Sequence, residues 1–465
     1  MLTDRLEVTS AFTGALLETL EYTKASQLEE LLQAAQKAQH KVLPRHQRLD
    51  ILEKLARGLE EESEAFAQLI AQEGGKPLRD ARVEAQRAVS GVRTAIAGLY
   101  QGLGREIPMG LTPSSSHHLA FTRRKPLGLV LAISAFNHPL NLLIHQLIPG
   151  VAVGCPVIVK PSLKTPLSAL KLMALLYACG LPPEYAACIL VPDEITSQLA
   201  ADPRFQLVSF IGSAQVGWKL RQNLAPGTHC LLEHGGTAPC IIAADARVDE
   251  HLPSLLRGAY YHAGQVCVSI QNIFIHQSRY EDFAARFTQA AKALKTGDPL
   301  NVETDVGPMI RESERRRVQQ WTQDALAHGA KAYLLGEESG PSTLSPIILG
   351  QAPKASAYFQ NEIFGPAVGL YSYQSEESLF QELNQSRFSF QAAFFTQDLD
   401  KALAFSEQLE ASTVLVNEHT AFRTDWMPFG GYKESGLGVG GILDSFKEYT
   451  REKLTLLRST GVGPV

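Results

Sequence analysis

From Ser26 to Gly102, Leu, Ala and Ile recur at three- and four-residue spacing with charged residues between them, which predicts two or three amphipathic helices. After the Gly- and Pro-containing stretch Gly102–Pro113 the pattern changes. Short apolar runs now alternate with helical ones: Leu127–Ser134, Val157–Lys160, Ala187–Val191, Leu207–Ile211 and Leu231–Glu233, separated by Leu140–Val153, Pro166–Ala178 and Ala214–Leu224. Apolar runs of strand length between periodic segments predict βα units and a doubly wound parallel sheet. The alternation restarts after Gly235-Gly236, with strand-like Pro239–Ala243 and Ile273–His276, a helix near His251–His262 and another from Arg279. A second α/β unit is therefore expected. Near the end, Pro428–Gly441 reads as a long ordered loop and Phe446–Leu457 as an edge strand.

A length of 465 residues predicts two to four domains with ample volume for buried cores. The formal charge of -5 gives no electrostatic reason to expect nucleic acid or anionic lipid as partner. The most apolar region, Leu127–Val159, is cut by Asn137, His138, Pro139, His145, Gln146, Pro149 and Pro156, so it reads as a buried core and not as a membrane span. The six cysteines form no C-x-x-C pair, which points away from a disulfide framework or a zinc site and towards a reducing compartment. Met1–Ser10 shows neither a secretory signal nor a transit peptide, and a cytoplasmic protein is expected.

Three positions carry candidate chemistry. Cys267, in Gly264-Gln265-Val266-Cys267-Val268-Ser269, sits between a helical segment and a strand, where a small-residue loop either exposes a thiol in a cleft or buries it as packing. Glu233 ends the run Leu231-Leu232 before Gly235-Gly236, as a functional carboxylate or as a turn cap. Asn137 ends another strand, at the edge where open α/β sheets place ligands, and equally suits an Asx turn before Pro139. The one G-x-G-x-x-G, at Gly436, Gly438 and Gly441, follows a polar run instead of a strand and is rejected as a dinucleotide fingerprint. Leu207–Gly217 is the better phosphate cradle: an apolar strand runs through Gly212-Ser213 into a helix containing Gly217, whose first N–H groups favour an anion.

These segments together resemble the aldehyde dehydrogenase superfamily. The resemblance rests on seven ordered motifs: FNHP at 136–139, VKPS at 159–162, FIGSAQVG at 210–217, LEHGG at 232–236, GQVC at 264–267, NEIFGP at 361–366 and PFGGYKESGLG at 428–438. It implies an aldehyde dehydrogenase-like α/β fold with two doubly wound parallel-sheet domains and a small β oligomerisation element. The implied boundaries are 1–112 and 127–234 for an NAD(P)-binding domain, 235–440 for a catalytic domain, and 113–126 with 441–465 for the oligomerisation element of a homodimer or homotetramer.

By the same resemblance Cys267 is the nucleophile, Asn137 donates to the oxyanion and Glu233 is the general base that hydrolyses the thioester, so an aldehyde is oxidised to a carboxylic acid. The cofactor, NAD or NADP, is expected against Lys160, Ser162, Phe210, Gly212, Ser213, Gly217, Glu362 and Phe364. Leu163 stands where many NAD-preferring relatives have a carboxylate, which predicts weak discrimination between the two nucleotides, with Lys160 and Lys164 available to a 2′-phosphate. Two other departures are Asn272, where a basic residue is usual, and His234, where Leu is frequent. The stretch 417–428 resembles the loop walling the substrate mouth in lactaldehyde and phosphonoacetaldehyde dehydrogenase-like members. It predicts a short, hydroxylated or anionic substrate met by Arg423, with Phe422 and Trp426 narrowing the tunnel; Arg423 otherwise bridges to Asp425 and only shapes the loop. Rival readings are a cysteine-dependent esterase or thioesterase, and a non-catalytic binding or structural protein that keeps the fold.

Overall fold

The computed structural model describes residues 5–102, 104–459 and 461. The first residues of the Met1–Ser10 segment and the last of the 441–465 segment thus lie outside the described residues. A hairpin of Arg5–Thr9 and Leu16–Glu21 comes first. Four helices follow where two or three were expected: Ala25–Ala38, Arg45–Glu61, Ser63–Gly74 and Leu78–Leu99. Pro44 and Pro77 each stand immediately before a helix, where the missing N–H costs nothing. Their presence breaks one periodic pattern into separate rods.

A six-stranded sheet has the order Gly436–Leu437, His229–Glu233, Leu207–Ile211, Val130–Ile133, Val157–Lys160, Ala186–Cys188. All its pairs are parallel except the one made by Gly436–Leu437. The second sheet has seven strands, ordered Lys331–Leu334, Ile347–Gly350, Ala367–Tyr373, Asn272–His276, Cys240–Ile242, Gln391–Phe395, Thr413–Val416. Only its first pair is antiparallel. Alternation of side chains across the second sheet explains why its strands are continuously apolar: Ile273 and Ile275 pack into one core, Phe274 between them into the other. Both faces are covered, so period-2 polarity disappears.

A three-stranded antiparallel sheet joins Thr450–Arg458, His118–Pro126 and Glu106–Ile107. Its outer strand exposes Leu454, Leu456 and Leu457. The expected strand at Phe446–Leu457 is corrected by this geometry, because its first part is a helix, Ile442–Glu448. Ile442, Phe446 and Tyr449 pack, with helices Leu78–Leu99 and Asn141–Val153, into a core on one face of the six-stranded sheet. The segment 441–449 is therefore anchored in that core, and only Thr450 onwards extends the small sheet. Likewise the 428–441 stretch is no bare loop, since Tyr432–Lys433 pairs with Phe388–Ser389 and Gly436–Leu437 closes the six-stranded sheet.

Candidate active site

Parallel strands end on a common edge, and five of the expected residues arrive there by that route. Asn137 follows Val130–Ile133, Lys160 ends Val157–Lys160, Gly212 and Ser213 follow Leu207–Ile211, and Glu233 ends His229–Glu233. The second sheet supplies the opposite wall. Cys267 lies just before Asn272–His276, Glu362 and Phe364 just before Ala367–Tyr373, and Arg423 after Thr413–Val416. Between them runs a cavity of about 1690 Å³. Asn137, Lys160, Glu233, Cys267, Glu362 and Arg423 all line it.

The cysteine loop is built from unusual backbone. His262, Ala263 and Gly264 have φ of 48°, 54° and 68° in succession, a left-handed run that costs energy at the two non-glycine positions. Gly264 is obligatory there, because a Cβ would lie 2.1 Å from the Gly365 carbonyl oxygen. Gln265 then pins the turn: its Oε1 accepts from Ile310 N at 2.8 Å and its Nε2 donates to the carbonyls of His262 and Pro308. Asn137 Nδ2 donates to the Gln265 carbonyl at 2.8 Å. That bond ties the amide to the loop carrying Cys267 and leaves its second N–H for another acceptor.

Electrostatics at the centre follow from burial. The Cys267 thiol is pushed up to about 12 by desolvation, with Glu362 and Glu233 adding to the effect and Arg423 opposing it. Glu233 is pushed up to about 7 for the same reason, again against the pull of Arg423. A carboxyl group titrating there can hold or release a proton near neutrality, which suits proton transfer. Glu362 is raised to about 8 by burial, opposed by Arg317. Its Oε1 is buried without a hydrogen-bond partner, and a Cβ on Gly235 would lie 1.6 Å from that oxygen. An orphaned carboxylate oxygen at a cavity wall fits a ligand hydroxyl, such as a ribose.

Further along the cavity lie Ser162, Leu163, Lys164, Asp193 and Gln215. Lys160 is nearly buried and bonds Asp193 at 3.0 Å. Helix Ala214–Gln222 begins at the cavity, and its first N–H groups have no intrahelical partner. Phe210 and Gly212 share this stretch of wall, whereas Gly217 lies behind it against the His234 ring. An elongated anion with two riboses therefore fits the residues present, from Lys160 and Ser162 past Gly212-Ser213 to Glu362 and Phe364.

A profile of the aldehyde dehydrogenase family matches residues 2–455. The chain belongs to the aldehyde dehydrogenase family. Its members are dehydrogenases that use NAD or NADP. The chain is 32% identical over 456 residues to a 3-sulfolactaldehyde dehydrogenase of Priestia aryabhattai, with 98% of this chain and 95% of the relative covered. Two solved structures share the fold throughout. Aldehyde dehydrogenase 21 of Physcomitrella patens, in complex with its product succinate, superposes with a TM-score of 0.95 at 31% identity, covering 98% of this chain and 95% of that one. A glyceraldehyde-3-phosphate dehydrogenase of Methanocaldococcus jannaschii, complexed with NADP, gives 0.93 at 30% identity, covering 99% and 100%.

In this aldehyde dehydrogenase the substrate mouth differs from the sequence-based expectation. Arg423 faces the cavity, but Phe422 and Trp426 are not among its lining residues. Trp426 is 60% exposed, over a separate depression beside Gln86, Arg93 and Leu443. Asp425 is drawn inward by Arg87, Asn141 and His145, and this turns its neighbour outward. Arg423 makes no ion pair with Asp425 among the described residues; it stacks on Phe429, 3.5 Å from the ring centroid, and its Nε is buried without a partner. The departures are also placed. His234 Nδ1 donates to the Gly212 carbonyl, 2.9 Å away, and the ring packs against Phe210 and Trp218. Asn272 bonds the Phe359 carbonyl, while Gln271 holds Asn361 and Ile363 on either side of Glu362.

Arg87, His138, Asn141 and Tyr261 line the same cavity and were missed from sequence. For Arg87 a signal existed. Asp80, Glu84 and Arg87 fall at i, i+4 and i+7 of a helix whose buried stripe contains Ala81, Ala85 and Ala88, and charges set on an apolar stripe need partners there.

Proposed function

We propose that this enzyme oxidises a short anionic aldehyde to the carboxylic acid with NAD or NADP. The observation that carries the reading is Arg423: a half-buried guanidinium on the wall it shares with Cys267 and Glu233, with no carboxylate partner among the described residues and a buried, unengaged Nε. Desolvation lowers its pKa to about 10, so it remains a cation at neutral pH, and a partly desolvated cation without an ion pair calls for an anionic ligand. Relatives named for 3-sulfolactaldehyde and glyceraldehyde-3-phosphate, and one holding succinate, are consistent with it.

In this mechanism the Cys267 sulfur attacks the aldehyde carbon as its proton passes to Glu233, directly or through water. Asn137 Nδ2 and the Cys267 backbone N–H receive the oxyanion. Lys160, Ser162, Phe210, Gly212, Ser213, Glu362 and Phe364 would hold the dinucleotide, while Gly217, behind that wall, only leaves room for the His234 ring. The nicotinamide, when bound, would supply the hydride acceptor through which the Cys267 thiohemiacetal becomes a thioester. Glu233, having passed the thiol proton to solvent, takes one from water as hydroxide adds to the acyl carbon, and returns it to the sulfur as the C–S bond breaks, so the acid and the free thiol are regenerated. The exposed leucines of Thr450–Arg458 suit burial against another copy, in a homodimer or homotetramer. No helix among the described residues is long and apolar enough to cross a membrane.

The test compares succinate semialdehyde with butanal, equal in carbon number and different in charge. Replacing Arg423 by Ala is expected to lower the kcat/KM ratio of anion over neutral aldehyde by about tenfold to a hundredfold, the range for a hydrogen bond to a charged group. Equal losses for both substrates overturn the anionic reading and assign Arg423 to structure.

A further inference from the structure

Asp425 does not itself line the cavity, but it is held by Arg87 and Asn141, which do, and by His145. Arg87 approaches it at 2.9 Å through Nη2 and 3.4 Å through Nε, Asn141 Nδ2 at 3.2 Å and His145 Nε2 at 2.9 Å. Burial opposes ionisation of Asp425, but the hydrogen bond from His145 and the charge of Arg87 outweigh it and hold the group well below the usual carboxylate range. An ionised carboxylate only accepts, so His145 Nε2 carries a hydrogen. Burial and the charge of Arg423 push His145 down to about 4, so at neutral pH the ring is uncharged and Nδ1 is a bare lone pair.

That lone pair is where Arg423 arrives. Arg423 Nη2 lies 3.3 Å from His145 Nδ1, so the imidazole stands between the guanidinium and Asp425. A direct Arg423–Asp425 pair would satisfy both charges and leave nothing for a ligand. The interposed ring gives Arg423 a neutral acceptor, and the negative charge of Asp425 is taken by Arg87. Phe429 fixes the guanidinium plane from the other side.

We propose that His145, oriented by Asp425, is a positioning residue that holds Arg423 through a neutral acceptor and so keeps its charge for the anionic end of the substrate. The inference rests on the reading of Arg423 given above. It assigns substrate selection in part to a residue outside the cavity lining, on the core helix Asn141–Val153.

The kcat/KM ratio of succinate semialdehyde over butanal is measured for wild type, His145→Leu, His145→Asn, Arg423→Ala and the double variant His145→Leu/Arg423→Ala. Leu removes the acceptor, and the ratio is expected to fall about tenfold, chiefly through KM for the anion. Asn offers an oxygen at the position of Nδ1 and is expected to keep the ratio within about threefold of wild type. The double variant should fall no further than Arg423→Ala, because both changes remove one unit of function. If His145→Leu does not fold, His145→Gln against His145→Asn decides, since Gln reaches the Asp425 side and lacks the acceptor at the δ position; equal ratios in the two overturn the proposal. So does an unchanged ratio in His145→Leu, or a double variant in which the separate losses multiply. An unchanged ratio in Arg423→Ala overturns the anionic reading itself, and this inference with it; a selective Arg423→Ala with a wild-type-like His145→Leu overturns only the inference.

Discussion

Glu233→Gln should make the protein more stable at alkaline pH while crippling turnover. Burial raises the Glu233 carboxyl from 4.5 to about 7, so between those values the folded state holds a proton that the unfolded chain has released. Folded protein binds more protons there, and stability falls as pH rises. The favourable contribution is complete below the unfolded value and gone above the folded one. At about 1.4 kcal/mol per pKa unit, the shift amounts to roughly 3 kcal/mol in all, of which about 2 kcal/mol falls between pH 5.5 and 8.5. Gln does not titrate. The difference in unfolding free energy between variant and wild type should therefore move in the variant's favour by about 2 kcal/mol over that interval, less whatever cavity water returns to a side chain that is only partly covered. Glu73 and Glu362, also raised by burial, titrate alike in both proteins and cancel. Urea unfolding of each protein at the two pH values measures it. A difference that stays constant within about 0.5 kcal/mol, or moves the other way, refutes the argument. In the same samples a rapid-mixing assay should show both the first equivalent of reduced cofactor and the turnover after it slowed, the latter by about 10²–10⁴-fold, because Gln takes a proton neither from the thiol nor from water; a burst at the wild-type rate would restrict Glu233 to thioester hydrolysis, and Cys267→Ala, the control, should give no reduced cofactor.

Gly235→Ala places a methyl group on the Glu362 carboxylate and should raise the KM for the nucleotide by about tenfold or more, as displacements near 1 Å do at reacting sites; unchanged nucleotide KM with full activity would count against the role of Glu362. With Leu163 lining the cavity and Asp193 already engaged by Lys160, the kcat/KM values for NAD and NADP should differ by less than about a thousandfold, or roughly 4 kcal/mol. A larger preference for NAD would mean that another group, such as the nearby Glu194, repels the 2′-phosphate.

The parallel sheets were legible because both faces of each strand are apolar, and three strand assignments needed only shifts of a residue or two, while Leu127–Ser134 and Ala187–Val191 moved by three at one end. Val157–Lys160 and Leu207–Ile211 are found at the expected limits. The C-terminal segment was not legible in the same way. Lys447–Lys453 is polar whether read as helix or strand, and what decides its start is remote: Gly91 and Gly98 on another helix leave room for Ile442 and Phe446. Composition of the segment carries no trace of that vacancy. The Gln265 side chain, which fixes the cysteine loop through three backbone groups, is equally silent in sequence.

Motifs named the residues proposed to meet the reacting atoms, but the groups that set their charge sit elsewhere in the chain. Asn137, Glu233 and Cys267 each lie at the end of a strand or on a short loop, where local pattern marks them. Arg87 and His145 lie in the middle of helices, Asp425 between two positions read as tunnel walls, and no local rule joins them. What they share is a polar or charged group on a face that packing would otherwise fill with aliphatic side chains. Such a group must find a partner or lose its charge. In this fold the two outcomes divide by place: Asp425 keeps its charge through Arg87 and His145, while Glu233 and Glu362, with no hydrogen-bonded cation, are pushed towards neutrality. A cavity with a fixed guanidinium on one wall and proton-holding carboxyl groups around the thiol separates the binding of an anion from the movement of a proton, and the proposed oxidation of an anionic aldehyde to an acid requires both.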